Sequence, residues 1–252
     1  EFSLTDNPPV SPWDYDEFSV TVPPDPRLPR GGGYVIGDLF NISPTAFGRT
    51  DDFVTRISNF GSATNYWHGV DTQVNARLRN GHTIQGGTRT GGDVSDECEV
   101  IIDNPNRRNC RVVMPFLTDI RGLVVYTVPR LDVQVSSTLQ SRPGPEIDAN
   151  WNVPSAVVAR TLGRPLSGNA ANVGVNVLDP GELYGDRITQ IDLRIAKLLR
   201  FGRTRTNVGI DIYNLTNSNL PLAYVDTLGG TWRNPTSVLD ARFVKVSAQI
   251  DF

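Results

Sequence analysis

The sequence predicts an all-β fold in which antiparallel strands follow one another up and down a sheet. Apolar and polar residues alternate over stretches of about ten residues, which is the pattern of a strand whose two faces differ. Tight and long connections between these stretches take turns along the chain. The 23 glycines and 18 prolines favour turns over long helices.

The best-defined alternation runs from Tyr66 to Leu78. Its even-numbered positions are apolar or neutral, whereas the odd-numbered positions from Asp71 to Arg77 are strongly polar. Arg79-Asn80-Gly81 then predicts a tight hairpin, because glycine readily adopts the positive φ that such turns need. The same pattern predicts strands at 82–89, 118–128, 131–140, 190–195, 207–212 and 244–252, which gives about seven strands in all.

Three predicted connections are tight and three are long. The tight ones are 79–81, 129–130 and 201–203, and the long polar ones are the two-cysteine segment, 141–186 and 216–237. Strict alternation places every long connection at one end of the sheet. Outer-membrane barrels have short periplasmic turns and long outer loops, and tilted strands of 9–11 residues cross the bilayer. The sequence therefore predicts a transmembrane β-barrel.

The mean hydropathy of −0.25 is that of an apparently soluble protein, but it does not exclude a barrel. No stretch approaches the roughly 18 apolar residues of a spanning helix, but a barrel strand needs only every second residue to be apolar. The alternative is a soluble β-sandwich. That fold would bury polar positions such as Asp71, Arg121 and Asp192, which is costly unless they are paired.

Two regions are predicted from composition. Residues 1–65 are rich in proline and glycine, which predicts an extracellular loop segment with one short strand near 34–40. Residues 66–252 are predicted to form the C-terminal strands of a larger barrel, since about seven strands cannot close a wide one. The chain begins without Met or a signal peptide, so we expect a mature, trimmed or partial protein.

The two cysteines, Cys98 and Cys110, lie in a polar segment. They form no CxxC motif and have no clustered histidines beside them, so a zinc site is not predicted. A local disulfide is predicted, because exposed free thiols are uncommon outside the cytoplasm. Two free thiols are the alternative.

Enzymatic chemistry has no motif in this sequence, and neither an enzyme nor a cofactor is predicted. GxSxG and HExxH are absent, and the glycine triplet at 31–33 lacks the GK[ST] of a phosphate loop. His68 and His82 share the apolar face and fit a membrane interface better than a metal site. A net charge of −3 without a dense basic run predicts no nucleic-acid partner.

Aromatic residues fall near the predicted strand ends, as an aromatic girdle at the membrane–water interfaces requires. The final strand ends in Ile250 and Phe252. Alternating apolar positions that end in an aromatic residue fit the signal by which barrel assembly machinery recognises outer-membrane proteins. The girdle prediction comprises Tyr66, Trp67, Tyr126, Phe201, Tyr213 and Phe252.

The chain resembles the C-terminal end of TonB-dependent outer-membrane receptors. The supporting stretches are YWHGVDTQVNARLRNGHTIQGG from Tyr66, GRTRTNVGIDIYNLT from Gly202 and TSVLDARFVKVSAQIDF from Thr236. The block from Pro143, with SAVVARTLGR, extends the resemblance over essentially the whole chain. The pattern is most similar to the Oar-like group, which carries a carboxypeptidase-regulatory-like N-terminal domain.

The resemblance implies a 22-stranded barrel in the bacterial outer membrane, occluded by an N-terminal plug and energised through a TonB box. Plug and box would lie outside these 252 residues. Implied partners are outer-membrane lipid, the TonB complex, the assembly machinery and a peptide, glycan or siderophore-like ligand. Trp151 and Trp232 are candidate ligand contacts in the loops. The alternative is a cell-surface structural, adhesive or self-assembling protein without transport.

Overall fold

Strands dominate the structure, as the sequence predicts. The computed structural model describes residues 3–201 and 204–251. One α-helix, α1 (Ser155–Leu162), is described. In chain order the strands are β1 (Ser3–Asp6), β2 (Tyr15–Thr21), β3 (Val35–Ile42), β4 (Phe53–Arg56), β5 (Thr64–Arg77), β6 (His82–Asp96), β7 (Arg111–Val113), β8 (Leu117–Val128), β9 (Val133–Arg142), β10 (Asn150–Pro154), β11 (Asn172–Asn176), β12 (Ile188–Phe201), β13 (Thr204–Tyr213), β14 (Pro221–Tyr224), β15 (Pro235–Val238) and β16 (Phe243–Asp251).

The seven long strands form one antiparallel sheet, called here the main sheet, in the order β5-β6-β8-β9-β12-β13-β16. Each long strand is therefore bonded to the strand that precedes it in the meander. The short β7 pairs with one end of β6. Among the described residues the sheet stays open, with β5 and β16 as its edges, and no closed barrel forms.

The strand register puts the apolar positions of neighbouring strands side by side. Ile84 lies opposite Val124, and Ile195 lies between Val135 and Ile210. Side chains alternate between the two faces of a strand, so these pairs define one continuous apolar face. The opposite, polar face carries rows such as Asp71-Arg89-Asp119. The predicted alternation is confirmed.

The apolar face is exposed. Val70 is 64% exposed, Val246 is 72% exposed, and Ile210, on an interior strand, is 47% exposed. No second layer of described residues covers these side chains, so the face is not the interior of a sandwich. A contiguous apolar face of this kind is unusual for a protein surrounded only by water.

All long connections lie at one end of the main sheet, which confirms the predicted alternation. Thr64 pairs with Asp96, Arg142 with Ile188 and Tyr213 with Phe243, and the long connections adjoin these pairs. At the other end, Leu78 N–H donates to His82 O at 2.8 Å and closes the first hairpin. Gly202 and Arg203 of the third predicted turn lie outside the described residues.

The second hairpin begins its return strand two residues later than predicted. Arg130 and Asp132 both have positive φ, 70° and 50°, so the turn continues through 132. β9 therefore starts at Val133 rather than at Leu131. Single-sequence patterns locate such ends poorly, because either apolar residue continues the alternation.

The buried core lies outside the main sheet. It belongs to residues 3–59, 143–187 and 214–242, called here the loop unit. Four short two-stranded ladders occur there: β1-β4, β2-β3, β10-β11 and β14-β15. The core residues are Phe18, Val20, Val22, Leu28, Ile36, Leu39, Ile147, Ala149, Val153, Val158, Leu166, Val175, Val177, Leu178 and Trp232.

The expectation of a single short strand within residues 1–65 needs correction. The predicted strand near 34–40 is present as β3, but β1, β2 and β4 accompany it. The prolines fall between these strands rather than within them, so each short ladder keeps its N–H donors. The segment is therefore folded, and it supplies six residues of the buried core, Phe18 and Val22 among them.

Two arginines connect the three parts of the loop unit. Arg164, just after α1, donates to Asp16 Oδ2 at 2.6 Å and to Asn41 Oδ1 at 2.9 Å. Arg27 donates to the Trp232 carbonyl at 2.9 Å and pairs with Asp25 at 2.6 Å. The Arg27 guanidinium holds the pKa of the Asp25 carboxyl below its ordinary 3.8. These contacts fix segments that are far apart in sequence.

The predicted disulfide is confirmed. Cys98 and Cys110 are bonded, with their Cα atoms 4.9 Å apart. The loop that they close contacts the loop unit, because Arg108 Nη1 donates to the Asn176 carbonyl at 2.6 Å. The Asn7 N–H also donates to Asp103 Oδ2 at 2.9 Å. The disulfide therefore shapes a segment that spans the end of the sheet and the loop unit.

Reduction of this disulfide is expected to loosen that segment. A cross-link that closes a loop of this length contributes about 2–3 kcal/mol, largely by restricting the unfolded chain. We expect trypsin to cleave after Arg107 and Arg108 faster in the reduced protein, as mass spectrometry of timed digests would measure. Cleavage after Arg160, in α1, is the internal control. Equal rates at Arg107 and Arg108 with and without reductant would contradict the prediction.

Candidate functional site

A groove lies over the polar face of β5, β6, β8 and β9. Its volume is about 570 Å³. Because β-strand side chains alternate, the polar positions of four neighbouring strands line one surface. Cross-strand rows such as Gln73-Gly87-Arg121-Gln140 build its floor. The principal lining side chains are Asp71, Gln73, Asn75, Gln85, Arg89, Asp119, Arg121, Thr138 and Gln140.

A second cavity of about 370 Å³ adjoins the groove towards the loop unit. The two share Arg89 and Asp119, so they are continuous. Arg142 and Pro143, at the start of a long connection, line its outer end. The groove therefore runs along the polar face from the middle of the sheet to the loop end.

Trp67 forms a wall of the second cavity. The Arg89 guanidinium carbon lies 4.4 Å from the centre of the Trp67 ring, a cation–π stack. On the sheet the ring lies against Gly69 and Gly91, which pair across β5 and β6. A Cβ on Gly69 would lie only 2.6 Å from the indole, and a Cβ on Gly91 would overlap it. Both glycines are thus required for this position of the ring.

The placement of Trp67 differs from the aromatic girdle in which it was predicted. Its odd number gives it the parity of Asp71, so its ring lies on the polar face, whereas a girdle residue must face outward. The alternation of polar and apolar residues in the sequence already indicates this placement of Trp67 on the polar face. Arg89, its stacking partner, could not be found from sequence, because their contact depends on the register of two strands.

Among the other predicted girdle residues, Tyr66 and Tyr126 lie at the two ends of the apolar face. At the turn end His82 stacks on Tyr126, with ring centres 4.3 Å apart. At the loop end Tyr213 stacks on Phe243 at 4.5 Å, but both have the parity of Asp211 and Lys245, so this pair lies on the polar face and not in the predicted girdle. His68 packs edge-on against Phe116 at 5.0 Å, so the two histidines occupy opposite ends of the face. The described residues contain no cluster of three or more metal-ligating side chains.

Neither loop tryptophan opens onto a cavity of the sheet. Trp232 is 1% exposed, and its Nε1–H donates to the Asp148 carbonyl at 2.7 Å. Its ring belongs to the core of the loop unit, so the candidate ligand contact at Trp232 needs correction. Trp151 is partly buried against the same core. Spacing alone could not distinguish a buried loop tryptophan from an exposed one.

The terminal positions of the predicted assembly signal are only partly described. Ile250 is 54% exposed on the apolar face of β16, opposite Thr206. Phe252 lies outside the described residues. The assembly signal remains a prediction.

A carboxyl pair joins the start of the chain to the disulfide loop. Asp6 is 8% exposed. Burial raises the pKa of its carboxyl above the ordinary 3.8, and the adjacent Asp103 raises it further. A raised pKa means that the folded protein holds this proton more tightly than the unfolded chain does.

Docking of β1 is therefore expected to weaken as pH rises. Well below pH 3.8, Asp6 is protonated in both states and imposes no penalty, whereas above its raised pKa the ionised carboxyl opposes folding. We expect hydrogen-exchange protection of residues 3–6 to fall through this range and Asp6→Asn to remove that fall. Asp52→Asn, an exposed carboxyl nearby, should behave as the parent. An unchanged slope in Asp6→Asn would refute the assignment.

Described helices are too short or too polar to cross a membrane. The comparisons with known proteins found no matching family model, no matching curated protein and no matching solved structure.

Proposed function

We propose that this chain is the C-terminal part of a TonB-dependent outer-membrane receptor that captures a ligand for energised uptake. In this proposal the main sheet is a segment of the barrel wall. The loop unit lies outside the cell, and the polar face lines the lumen. The observation that carries the proposal is the exposed apolar face, which has no protein partner among the described residues.

The height of the apolar face supports a membrane position. About ten residues separate His82, in the turn-end aromatic stack, from Gly92, which pairs with His68 at the loop end. Ten residues of strand extend about 33 Å. A tilt of about 45° reduces that length to roughly 23 Å along the membrane normal. Outer-membrane barrels have an apolar band of about 25 Å between their aromatic girdles.

A lysine on the apolar face supports the same orientation. Lys197 has the parity of Ile195, but its Nζ donates to the Leu131 carbonyl in the second turn. Its charged end thus extends towards the turns and away from the middle of the face. Long basic side chains behave in this way where apolar surface meets water at a membrane.

The location of the protein's own core favours a receptor. Loops that only link strands would need no core, whereas the loop unit buries Trp232, Val22 and Val177 almost completely. A rigid unit at one end of the sheet is suited to hold a binding surface in place. The groove opens towards this unit along Arg142 and Pro143. A ligand held by the loops would therefore meet the polar face next.

Vesicle experiments test the proposal. The full chain, folded in phosphatidylcholine vesicles, should float with them and resist extraction by carbonate. Val70→Cys and Gln73→Cys place a fluorophore on opposite faces of β5, and the bonded native cysteines leave only the new thiol to label. Lipids with a nitroxide on the acyl chain should quench the probe at 70 and spare the probe at 73. Absence of flotation, or equal quenching, would refute membrane insertion.

The second candidate is a self-assembling surface protein. It is favoured by the two open edges of the main sheet, since unpaired strand edges template association with other chains. Cross-linking of the vesicle-bound protein separates the candidates. A ladder of copies joined from β5 to β16 supports self-assembly, and a monomer supports a receptor wall completed by other strands.

A further inference from the structure

One buried asparagine closes the third segment of the loop unit, residues 214–242. Asn214 is 2% exposed. Its Nδ2 donates to the Ser218 carbonyl at 2.8 Å and to the Asp240 carbonyl at 2.7 Å, and its Oδ1 accepts the Ser218 N–H at 2.9 Å. These bonds join the start of the segment to its end. Asn214, Ser218 and Asp240 are called here the closing cluster.

A carboxylate on the polar face of the main sheet holds the closing cluster in place. The Asn214 N–H donates to Asp192 Oδ1 at 2.9 Å. The same oxygen accepts a bond from Gln190 Nε2, also at 2.9 Å. Hydrogen bonds to an ionised carboxylate are stronger than those between neutral groups. Asp192, on β12, is therefore a positioning residue for the third segment, which carries the buried Trp232.

The second oxygen of this carboxylate is held only weakly, and it borders the groove. Thr138 lies opposite Asp192 in the register of β9 and β12, and it lines the groove. Its Oγ1 lies 3.4 Å from Asp192 Oδ2, which is longer than a usual hydroxyl hydrogen bond. This oxygen can therefore accept a further bond from a donor in the groove. One carboxylate thus contacts both the groove and the loop unit.

The neighbouring carboxylate, Asp211, is arranged differently. It accepts bonds from Arg194 Nη1 at 2.7 Å and from Ser247 Oγ at 3.3 Å. Both donors lie on strands of the main sheet, β12 and β16. A change at Asp211 therefore acts within the sheet, whereas a change at Asp192 reaches the loop unit.

Movement of the Asp192 carboxylate would open the closing cluster. A donor in the groove that drew the carboxylate towards Thr138 would leave the Asn214 N–H without its acceptor. Because Asn214 is almost completely buried, water cannot replace that acceptor, and a buried N–H without a partner is costly. The closing cluster would then have to move. The third segment therefore has a docked state and a released state, which compete for one carboxylate.

We propose that Asp192 is a switch through which a cationic hydrogen-bond donor on the polar face releases the third segment of the loop unit. The inference rests on the proposed function, in which the polar face lines the lumen, and deepens it by naming how that site is regulated. Occupancy of the lumen loosens residues 214–242. Since coupling between two sites is reciprocal, release of the segment also strengthens binding at the polar face.

Hydrogen exchange of residues 214–242 in the vesicle-bound full chain tests the role of Asp192. Asp192→Ala should speed this exchange by about tenfold or more, because it removes a charged acceptor. Asp192→Asn should keep most of the protection, since an amide oxygen can still accept the Asn214 N–H. Asp186→Ala removes an exposed carboxylate just before β12 and should stay within about twofold of the parent.

A tethered ammonium group tests the switch itself. Thr138→Cys and Gln134→Cys place a thiol on the same face of β9, about 13 Å apart. The native cysteines are bonded, so 2-aminoethyl methanethiosulfonate adds the same donor to either new thiol. The ammonium at 138 should speed exchange of residues 214–242 by about tenfold relative to the unlabelled variant, and the ammonium at 134 by no more than about twofold.

The inference is overturned by unchanged exchange in Asp192→Ala, by exchange in Asp192→Asn as fast as in Asp192→Ala, or by equal effects of the ammonium at 134 and 138. Flotation is measured on the same samples. Any of these results with intact flotation refutes only the switch, whereas a parent protein that does not float refutes the membrane receptor.

Discussion

Val70→Arg is expected to destabilise the membrane-inserted protein by about 2–4 kcal/mol. Val70 is 64% exposed near the middle of the apolar face of β5. An arginine in the middle of a bilayer must bring its charge into hydrocarbon or distort the lipid around it, and this is the cost measured for barrel walls. Urea titration of the vesicle-bound protein, followed by tryptophan fluorescence, measures the change.

The matched control is Gln73→Arg, three residues along the same strand on the polar face. Its side chain lies in the groove, so the added charge stays in water, and we expect a change within about 0.5 kcal/mol. The two variants also test the alternative that the apolar face meets water. If the apolar face met water, Val70→Arg would also be nearly neutral, because the side chain buries little. Two equal, small effects would therefore reject the lipid-facing assignment.

Trp232→Ala is expected to destabilise the loop unit by about 3–5 kcal/mol. The substitution empties a core site that is 1% exposed and removes the bond from the indole N–H to the Asp148 carbonyl. Large-to-small changes in well-packed cores cost this much because the surroundings close the cavity only partly. Hydrogen exchange of residues 143–187, monitored by mass spectrometry, reports the loss separately from any change in the main sheet.

Trp13→Ala is the control for Trp232→Ala. Trp13 is 95% exposed on the turn between β1 and β2, so its removal should change stability by no more than about 0.5 kcal/mol. Comparable losses in the two variants would show that the indole at 232 is not a core anchor. Such a result would reopen Trp232 as a surface residue available to a ligand.

The main sheet was predictable because its information is local. Alternation from Tyr66 to Arg77 fixes which side chains share a face, and that face needs no knowledge of the rest of the chain. The first hairpin is equally local, since Asn80-Gly81 specifies it. Only the ends of strands were not predicted correctly, as at Leu131, where two positive φ angles extend the turn.

The loop unit was not predictable in the same way. Its core combines Val22, Ile147, Val177 and Trp232, which come from three segments without a shared period. Strands of four to eight residues between prolines are too short for alternation to be distinguished from chance. The helix α1 is the exception, because its C-terminal end is marked in the sequence. α1 runs from Ser155 to Leu162 and ends at Gly163, whose φ of 75° is the usual helix stop.

The sequence predicts which side chains share the face of the candidate groove, but not which of them have partners. Parity alone places Asp71 and Arg121 on the polar face, and the sequence identifies both. Which of these side chains remain without partners depends on the register between strands, which sets Arg121 opposite Gly87 rather than opposite a carboxylate. Arg194, on the other half of the face, meets Asp211 through the same kind of register and is satisfied.

The three-part origin of the loop unit constrains the order of events during biogenesis. Val22 can reach its final neighbours only after residues 147–178 and Trp232 have been synthesised, so the first segment must wait without the rest of its core. Contacts between such distant segments form slowly. In the proposed topology all three segments of the loop unit must cross the bilayer before they meet. A loop unit that folded before this crossing would block its own passage. In that topology, residues 3–59 would have to stay extended until the later segments have crossed.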